Sequence, residues 1–121
     1  MSRVSQELRD RTKHYASRVV RLYIALPRRR EEVVVLGRQL LRSGTSVAAH
    51  VREASRARSK LEFCSKLEGA LQEADESQLW LELLKEDCGI SIDPVDWLLR
   101  ESDELIAIFA TIVFKLKSPP P

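Results

Sequence analysis

Apolar and small residues alternate in steps of four and three residues along the second quarter of the chain, and this spacing restricts the possible folds more than any other feature. It predicts one face of a helix over residues 31–57 that packs along its length on other helices. Residues 43–46 have low helix propensity, so two interpretations stay open: a continuous helix whose glycines allow a close neighbour, or a helix that breaks there. The series comprises Val33, Gly37, Leu40, Gly44, Val47, Val51 and Ala54.

Three further helices have the same spacing, and their ends carry recognisable signals. The first is stopped by Pro27, which lacks a backbone donor. The third follows a capping-box sequence, SKLE, and ends at Gly89. The fourth begins with Asp93 as its cap and Pro94 at the first helical position. The predicted spans of these helices are residues 5–26, 60–89 and 93–117.

Four long helices joined by short turns indicate an all-α fold, an antiparallel up-down-up-down four-helix bundle. No strand-like alternation of apolar and polar residues competes with this interpretation. The 121 residues suffice for one such domain. We place it at residues 1–117 and predict a disordered Pro-rich tail over residues 118–121.

Charge is divided unevenly along the chain. Residues 1–60 contain fifteen Lys and Arg against five Asp and Glu, whereas residues 61–121 contain five against thirteen. The formal net charge of +2 therefore hides a basic half and an acidic half. The basic half can bind a polyanion, or it can dock on the acidic half of another copy.

Arginines dominate the basic half, and several follow one another at helical spacing beside the apolar series. A guanidinium carries a permanent charge and fits phosphate or carboxylate with two parallel hydrogen bonds. The partners of this surface are therefore expected to be anionic. The candidate nucleic-acid-binding residues are Arg18, Arg21, Arg28, Arg29, Arg30, Arg38, Arg42, Arg52, Arg56 and Arg58.

The second half of the fourth predicted helix is apolar on more than one side. Ile106, Ile108 and Val113 lie off its seam, and a helix of this kind needs more than one neighbour. We expect these three residues to form part of a contact between subunits. The apolar run 105–114 is too short to span a bilayer, and the charged N-terminus lacks the apolar segment of a secretion signal. A cytoplasmic protein without a membrane partner is expected.

Residues suited to catalysis or metal binding are scarce. A di-iron bundle needs Glu-x-x-His pairs on two helices, and the chain has only His14 and His50, neither preceded by Glu at that spacing. Cys64 and Cys88 are predicted to be reduced thiols that act as small apolar groups. We therefore expect no catalytic residues, no metal and no cofactor.

Several longer motifs follow one another along nearly the whole chain. They are RQLLRSGTSV at residues 38–47, VREA at 51–54, SK at 59–60, Phe63, KL at 66–67, EA at 73–74, WLELL at 80–84 and DELIAI at 103–108. On these motifs the chain resembles the four-helix bundle protein family, bacterial proteins first recognised as encoded in intervening sequences of large-subunit ribosomal RNA genes. One residue departs from the family pattern, since His50 stands where the family usually has Asn.

The resemblance implies a left-handed bundle that assembles into a ring, typically a pentamer, with a basic surface that contacts nucleic acid. A related branch, the accessory proteins of diversity-generating retroelements, works with a reverse transcriptase. A reverse transcriptase or another protein is therefore also an expected partner, beside further copies of the chain and RNA or DNA.

Two functions agree with these observations. In the first, a non-catalytic oligomer binds RNA or DNA through phosphate contacts as a scaffold or accessory factor, and its affinity falls steeply with salt. In the second, the arginines pair with the acidic helices of an adjacent subunit or partner. The protein is then a ring-forming adaptor that does not bind nucleic acid.

Overall fold

The computed structural model describes residues 4–119 as four antiparallel α-helices joined by short turns. Consecutive helices pack on one another, α1 on α2, α2 on α3 and α3 on α4, and α4 closes more loosely against α1. The predicted all-α four-helix bundle is confirmed. The helices are α1 Gln6–Ala25, α2 Glu31–Ala54, α3 Lys60–Glu86 and α4 Asp93–Lys117.

The predicted apolar seams form the core. All seven members of the α2 series are buried, as are the residues of the same spacing in α1 and α3. In α1 and at its C-cap these are Leu8, Thr12, Tyr15, Val19, Leu22 and Leu26, and in α3 they are Phe63, Leu67, Ala70, Ala74, Ser77, Leu81 and Leu84. The seam predicted for α4 is buried as far as Phe109, whereas its last two members, Ile112 and Leu116, are half-buried and Val113 is buried instead. The predicted members are Val95, Leu98, Ser102, Leu105, Phe109, Ile112 and Leu116. A straight helix turns every 3.6 residues, so a stripe spaced by 3.5 drifts around a helix of this length. Near the end of α4 this drift brings Val113, rather than Ile112, into the core.

Helix ends follow the sequence signals with small differences. Helix α3 ends at Glu86, three residues before the predicted Gly89. The Ser59 hydroxyl accepts the Glu62 amide at 3.0 Å, which is the first half of the predicted capping box. The reciprocal bond is not formed within the described chain, since the Glu62 carboxylate lies 3.9 Å from Arg58 instead. At the start of α4 the cap residue is Ile92 rather than Asp93, which is the first helical residue. Gly89 follows the end of α3 with a φ of 72°, the left-handed conformation expected after a helix.

Helix α2 is continuous through residues 43–46 despite their low helix propensity, and Gly44 lies there at a close contact with α1. A Cβ at Gly44 would lie 2.8 Å from a methyl carbon of Val19, so glycine allows α1 to approach α2 closely. Ser46 also donates a hydrogen bond to the carbonyl of Arg42 one turn earlier. The helix ends three residues before the prediction, because the amides of Arg56 and Ala57 turn back to carbonyls three residues earlier.

A polar layer crosses the middle of the core, with one residue from each helix. The Tyr15 and Ser102 hydroxyls are 2.6 Å apart, and the Ser43 and Ser77 hydroxyls are 2.7 Å apart. All four residues are fully buried. Ser77 and Ser102 also donate to carbonyls of their own helices, so each hydroxyl proton has an acceptor. Such a layer favours one alignment of the four helices, since a slip would leave buried hydroxyls unpaired.

Beyond α4, Ser118 and Pro119 are exposed. The rest of the tail predicted to be disordered, residues 120–121, lies outside the described residues, as do residues 1–3.

Candidate nucleic-acid interface

Part of the basic edge of α1 is neutralised by α4 of the same subunit. Arg11 donates two hydrogen bonds to Glu101, at 2.6 and 2.8 Å, and a third to Glu104 at 2.8 Å. Glu101 is almost fully buried, and its hydrogen bonds are the main cause of the raised pKa of Arg11. Arg11 therefore joins α1 to α4 and leaves no charge for a ligand.

Arg18, one of the candidate residues, also faces α4. Its guanidinium lies 4.5 Å from the centre of the Trp97 ring, and the His14 ring meets the same indole edge-on, with centroids 5.4 Å apart. A cation over an aromatic face is held electrostatically, but its charge is not cancelled. Arg18 is therefore stacked on Trp97 of its own subunit and keeps its positive charge.

Three of the candidates form ion pairs within the chain. Arg42 contacts Glu73 at 3.3 Å and Glu76 at 3.0 Å, and Glu73 is the main cause of its raised pKa. Arg30 contacts Glu32 at 2.8 Å and donates to the carbonyl of Cys88. Arg58 is weakly engaged, since its side chain is 91% exposed and lies 3.9 Å from Glu62.

The remaining candidates keep their positive charge without a carboxylate partner. Arg28 lies over the Tyr23 ring, 5.0 Å from its centre. The other five are exposed and form no ion pair with any residue between 4 and 119. These five, which we call the unpaired arginines, are Arg21, Arg29, Arg38, Arg52 and Arg56.

The unpaired arginines lie on α1, α2 and the turns that follow these two helices. Arg38 and Arg52 occupy one edge of α2, fourteen residues apart, which corresponds to about 21 Å along the helix axis. Duplex DNA advances about 3.4 Å per nucleotide of one strand, so these two residues span about six phosphates. Arg9 and Lys13, which the sequence candidates omit, also form no ion pair within residues 4–119. Their spacing of four residues could have indicated a shared helix edge.

Glu7, Asp10 and Glu31 on α1 and α2 also form no ion pair within residues 4–119, but most unpaired acidic groups occupy the other half of the bundle. They are exposed on α3, on the turn after it and at the start of α4, and no cation of the described chain contacts them. The charge division read from the sequence therefore persists at the surface after the internal ion pairs have formed. These residues are Asp75, Glu82, Glu86, Asp87 and Asp93.

The residues predicted for a subunit contact are largely covered by their own subunit. Val113 is buried in the core, and Ile106 and Ile108 are half-buried against it. Larger apolar exposure occurs nearby, where Phe114 is 73% exposed and Leu61, at the start of α3, is 83% exposed. These two side chains are the more accessible apolar groups at this end of the bundle.

Groups suited to chemistry are dispersed or covered. Cys64 and Cys88 are both buried free thiols, as predicted. His50 packs over Gly69, where a Cβ would lie 2.8 Å from the imidazole, and its Nδ1 atom has no hydrogen-bond partner among the described residues. Within residues 4–119 no group of three or more His, Cys, Asp or Glu is arranged to hold a metal ion. None of the helices described combines the length and apolar character that crossing a membrane requires.

Comparison with known proteins identifies relatives over most of the chain. The sequence profile of the 23S rRNA-intervening sequence protein family matches residues 5–111. A crystal structure of a protein with unknown function from the S23 ribosomal protein family of Bacteroides thetaiotaomicron VPI-5482 is similar, with a TM-score of 0.78 and 37% sequence identity. The similarity covers 87% of this chain and 96% of that one. No curated protein matches significantly.

Proposed function

The chain belongs to the 23S rRNA-intervening sequence protein family, and on this premise we propose that it is a non-catalytic, oligomeric protein that binds nucleic acid. Its arginines contact phosphates of RNA or DNA, and the protein serves as a scaffold or accessory factor. The descriptions of the family and of the crystallised relative both refer to ribosomal RNA or to the ribosome. That context supports a nucleic acid as the anion that the arginines bind.

The observation that carries the proposal is the set of unpaired arginines. An arginine that already donates to carboxylates, as Arg11 does, has its charge compensated and fewer donors left for a phosphate. Arg38 and Arg52 have no carboxylate partner within residues 4–119, so their charge is available to a ligand. Phosphate contacts of this kind fix position without reading sequence. Binding is therefore expected to depend little on base sequence.

Salt titration of binding tests the proposal and has a calculable outcome. If each of the five unpaired arginines neutralises one phosphate, the logarithm of affinity for duplex DNA should fall with a slope of about −4.5 against the logarithm of salt concentration. Affinity should then decrease about 500-fold between roughly 50 and 200 mM salt. For single strands the slope should be about −3.5. Fluorescence anisotropy with labelled RNA and DNA measures both.

A second function, a ring-forming adaptor without nucleic-acid binding, is favoured by one observation. Several exposed carboxylates of α3, such as Glu82 and Glu86, have no cation partner in the described chain. Head-to-tail packing would bring them onto the unpaired arginines of a neighbouring copy. The arginines would then be neutralised by carboxylates within the assembly and would not bind nucleic acid.

The mass of the protein in solution, measured beside the salt titration, separates the two functions. An oligomer that binds nucleic acid with a steep salt slope supports the proposal. An oligomer without measurable affinity at about 50 mM salt, where phosphate contacts are strongest, contradicts it and favours the adaptor. A monomer that binds nucleic acid would support the binding function and contradict the proposed oligomer.

A further inference from the structure

The end of the bundle that carries the α1–α2 turn holds an aromatic residue among arginines. Tyr23 lies in the last turn of α1 and is half-buried. Its ring packs over Gly37 of α2, where a Cβ would lie 3.4 Å from Tyr23 Cδ1 and 2.9 Å from Leu26 Cδ1. A side chain at residue 37 would therefore displace this packing. The glycine lets the tyrosine ring rest directly on the backbone of α2.

Two guanidiniums converge on this ring from different segments. Arg28, in the turn, lies over the face of the ring at 5.0 Å from its centre. Arg38 follows Gly37, the α2 residue on which the ring packs, and Arg38 is the main cause of the lowered pKa of the Tyr23 hydroxyl, with the charge of Arg28 adding to the effect. The phenol oxygen thus lies in a positive local potential produced by both arginines.

No acidic residue neutralises this cluster in the part of the chain that the structure describes. Neither Arg28 nor Arg38 forms an ion pair within residues 4–119. The neighbouring Arg30 differs, because it is held by Glu32 and by the carbonyl of Cys88. The cluster therefore combines fixed positive charge with a neutral hydroxyl donor, on a ring whose position is set by α2.

We propose that Tyr23, Arg28 and Arg38 form a discrete phosphate-binding site at this end of the bundle. Two guanidiniums and a hydroxyl provide convergent donors for the oxygens of one tetrahedral anion. The inference rests on the proposed function, to which it adds a location and the group that is bound. A backbone phosphodiester and a terminal phosphomonoester present the same kind of oxygen, and the experiment below separates these two sources.

The ionisation of Tyr23 reports on this site directly. The chain has only two tyrosines, and burial raises the pKa of Tyr15 while the arginines lower that of Tyr23. An alkaline titration followed by phenolate absorbance therefore shows Tyr23 first. A phosphate bound beside Tyr23 disfavours the phenolate, so it should raise the pKa of Tyr23. Circular dichroism confirms that the protein stays folded over the titration.

The titration is repeated with DNA, because RNA is hydrolysed at high pH. Its arms are a single-stranded oligonucleotide with a 5′-hydroxyl, the same strand with a 5′-phosphate, inorganic phosphate, and chloride at equal ionic strength. A rise in the pKa of Tyr23 with both strands supports the site with a backbone phosphate as its ligand. A rise in the pKa of Tyr23 with the 5′-phosphorylated strand alone supports the site with a terminal phosphate as its ligand.

Two variants and a matched control assign the response to named groups. Arg38→Gln should reduce DNA affinity by about tenfold and abolish the rise in the Tyr23 pKa. Tyr23→Phe keeps the ring and removes one donor, so it should reduce affinity by about threefold to tenfold. Arg56→Gln, which removes the same charge from an unpaired arginine beyond the other end of α2, should leave the Tyr23 response intact.

Failure of the site and failure of the proposed function give different results. DNA that binds by anisotropy without moving the pKa of Tyr23 overturns the site and leaves the proposed function standing. Inorganic phosphate that raises the pKa of Tyr23, beside oligonucleotides that do not bind, supports the site and overturns the proposed function. An equal response to chloride and to inorganic phosphate overturns the site, because the effect is then general screening.

Discussion

The contact between Gly44 and Val19 provides a quantitative test of the packing that aligns the two arginine-bearing helices. A Cβ at residue 44 would lie 2.8 and 2.9 Å from the two methyl carbons of Val19 and 3.2 Å from its Cβ. Val19 is fully buried, and a β-branched side chain in a helix has one strongly preferred rotamer. The valine cannot turn away, so Gly44→Ala must push α1 and α2 apart.

The expected magnitudes follow from the two opposing effects of the substitution. Overpacking against a rigid neighbour costs about 2–3 kcal/mol, and the higher helix propensity of alanine offsets about 1 kcal/mol. Gly44→Ala should therefore lower the free energy of unfolding by about 1–2 kcal/mol, whereas Val19→Ala should lower it by about 2 kcal/mol. In the double variant the new methyl occupies the vacated space. Its loss should be only about 1 kcal/mol, roughly 2–3 kcal/mol less than the sum of the single variants.

Urea denaturation followed by circular dichroism, at one fixed protein concentration, measures these differences. Gly37→Ala is the matched control, because the nearest atom to its new Cβ is the far end of the flexible Leu26 side chain. That variant should lose less stability than Gly44→Ala. Single and double variants that are additive within about 0.5 kcal/mol, or a Gly44→Ala protein more stable than the parent, would refute the close-packing argument.

Further predictions concern the polar layer, the α1–α4 ion pair and the exposed end of α4. Burial raises the pKa of Tyr15, so the stability that the Tyr15 hydroxyl contributes is present below about pH 10 and is lost as the pH rises further. Between about pH 9 and pH 11, the urea midpoint of Tyr15→Phe should therefore fall less than that of the parent protein. Glu101→Gln should lower the free energy of unfolding by about 1–3 kcal/mol, because it weakens two hydrogen bonds to Arg11. Glu104→Gln alters a well-exposed carboxylate and should cost less than about 1 kcal/mol in the same urea assay. Equal losses would contradict an effect of burial. Phe114→Ser should reduce the assembled mass in sedimentation velocity if this exposed apolar residue contributes to a subunit contact, and an unchanged mass would place the contact elsewhere.

The helices could be predicted from the sequence because apolar spacing records burial directly. Each helix has one stripe facing the others, so positions such as Val33 and Leu40 identify the core without any knowledge of the neighbours. What could not be predicted is which residues meet across helices. The hydrogen bond between Ser43 and Ser77 joins residues thirty-four positions apart, and it depends on the mutual alignment of α2 and α3. Propensity alone made Ser43 a candidate break, whereas the layer makes it a core residue.

The division of the arginines was equally hidden from the sequence. Helical spacing placed Arg42 and Arg52 on one edge of α2, and both residues have the same intrinsic chemistry. Arg42 finds Glu73 and Glu76 because α3 lies beside that part of the edge. Arg52 forms no ion pair within residues 4–119. Only the packing of one helix beside another distinguishes an arginine that stabilises the bundle from one that is available to a ligand.

Two triple variants with the same change in net charge test the central claim most directly. One replaces the unpaired Arg38, Arg52 and Arg56 with Gln, and the other replaces three arginines that already contact carboxylates, Arg11, Arg30 and Arg42. Circular dichroism checks that both remain folded, and the salt dependence of duplex DNA binding is then measured. We predict that the first variant reduces the magnitude of the salt slope by about 2.7, whereas the second leaves it nearly unchanged. Equal reductions in the two variants would contradict the account, because total charge rather than unpaired guanidiniums would then control binding.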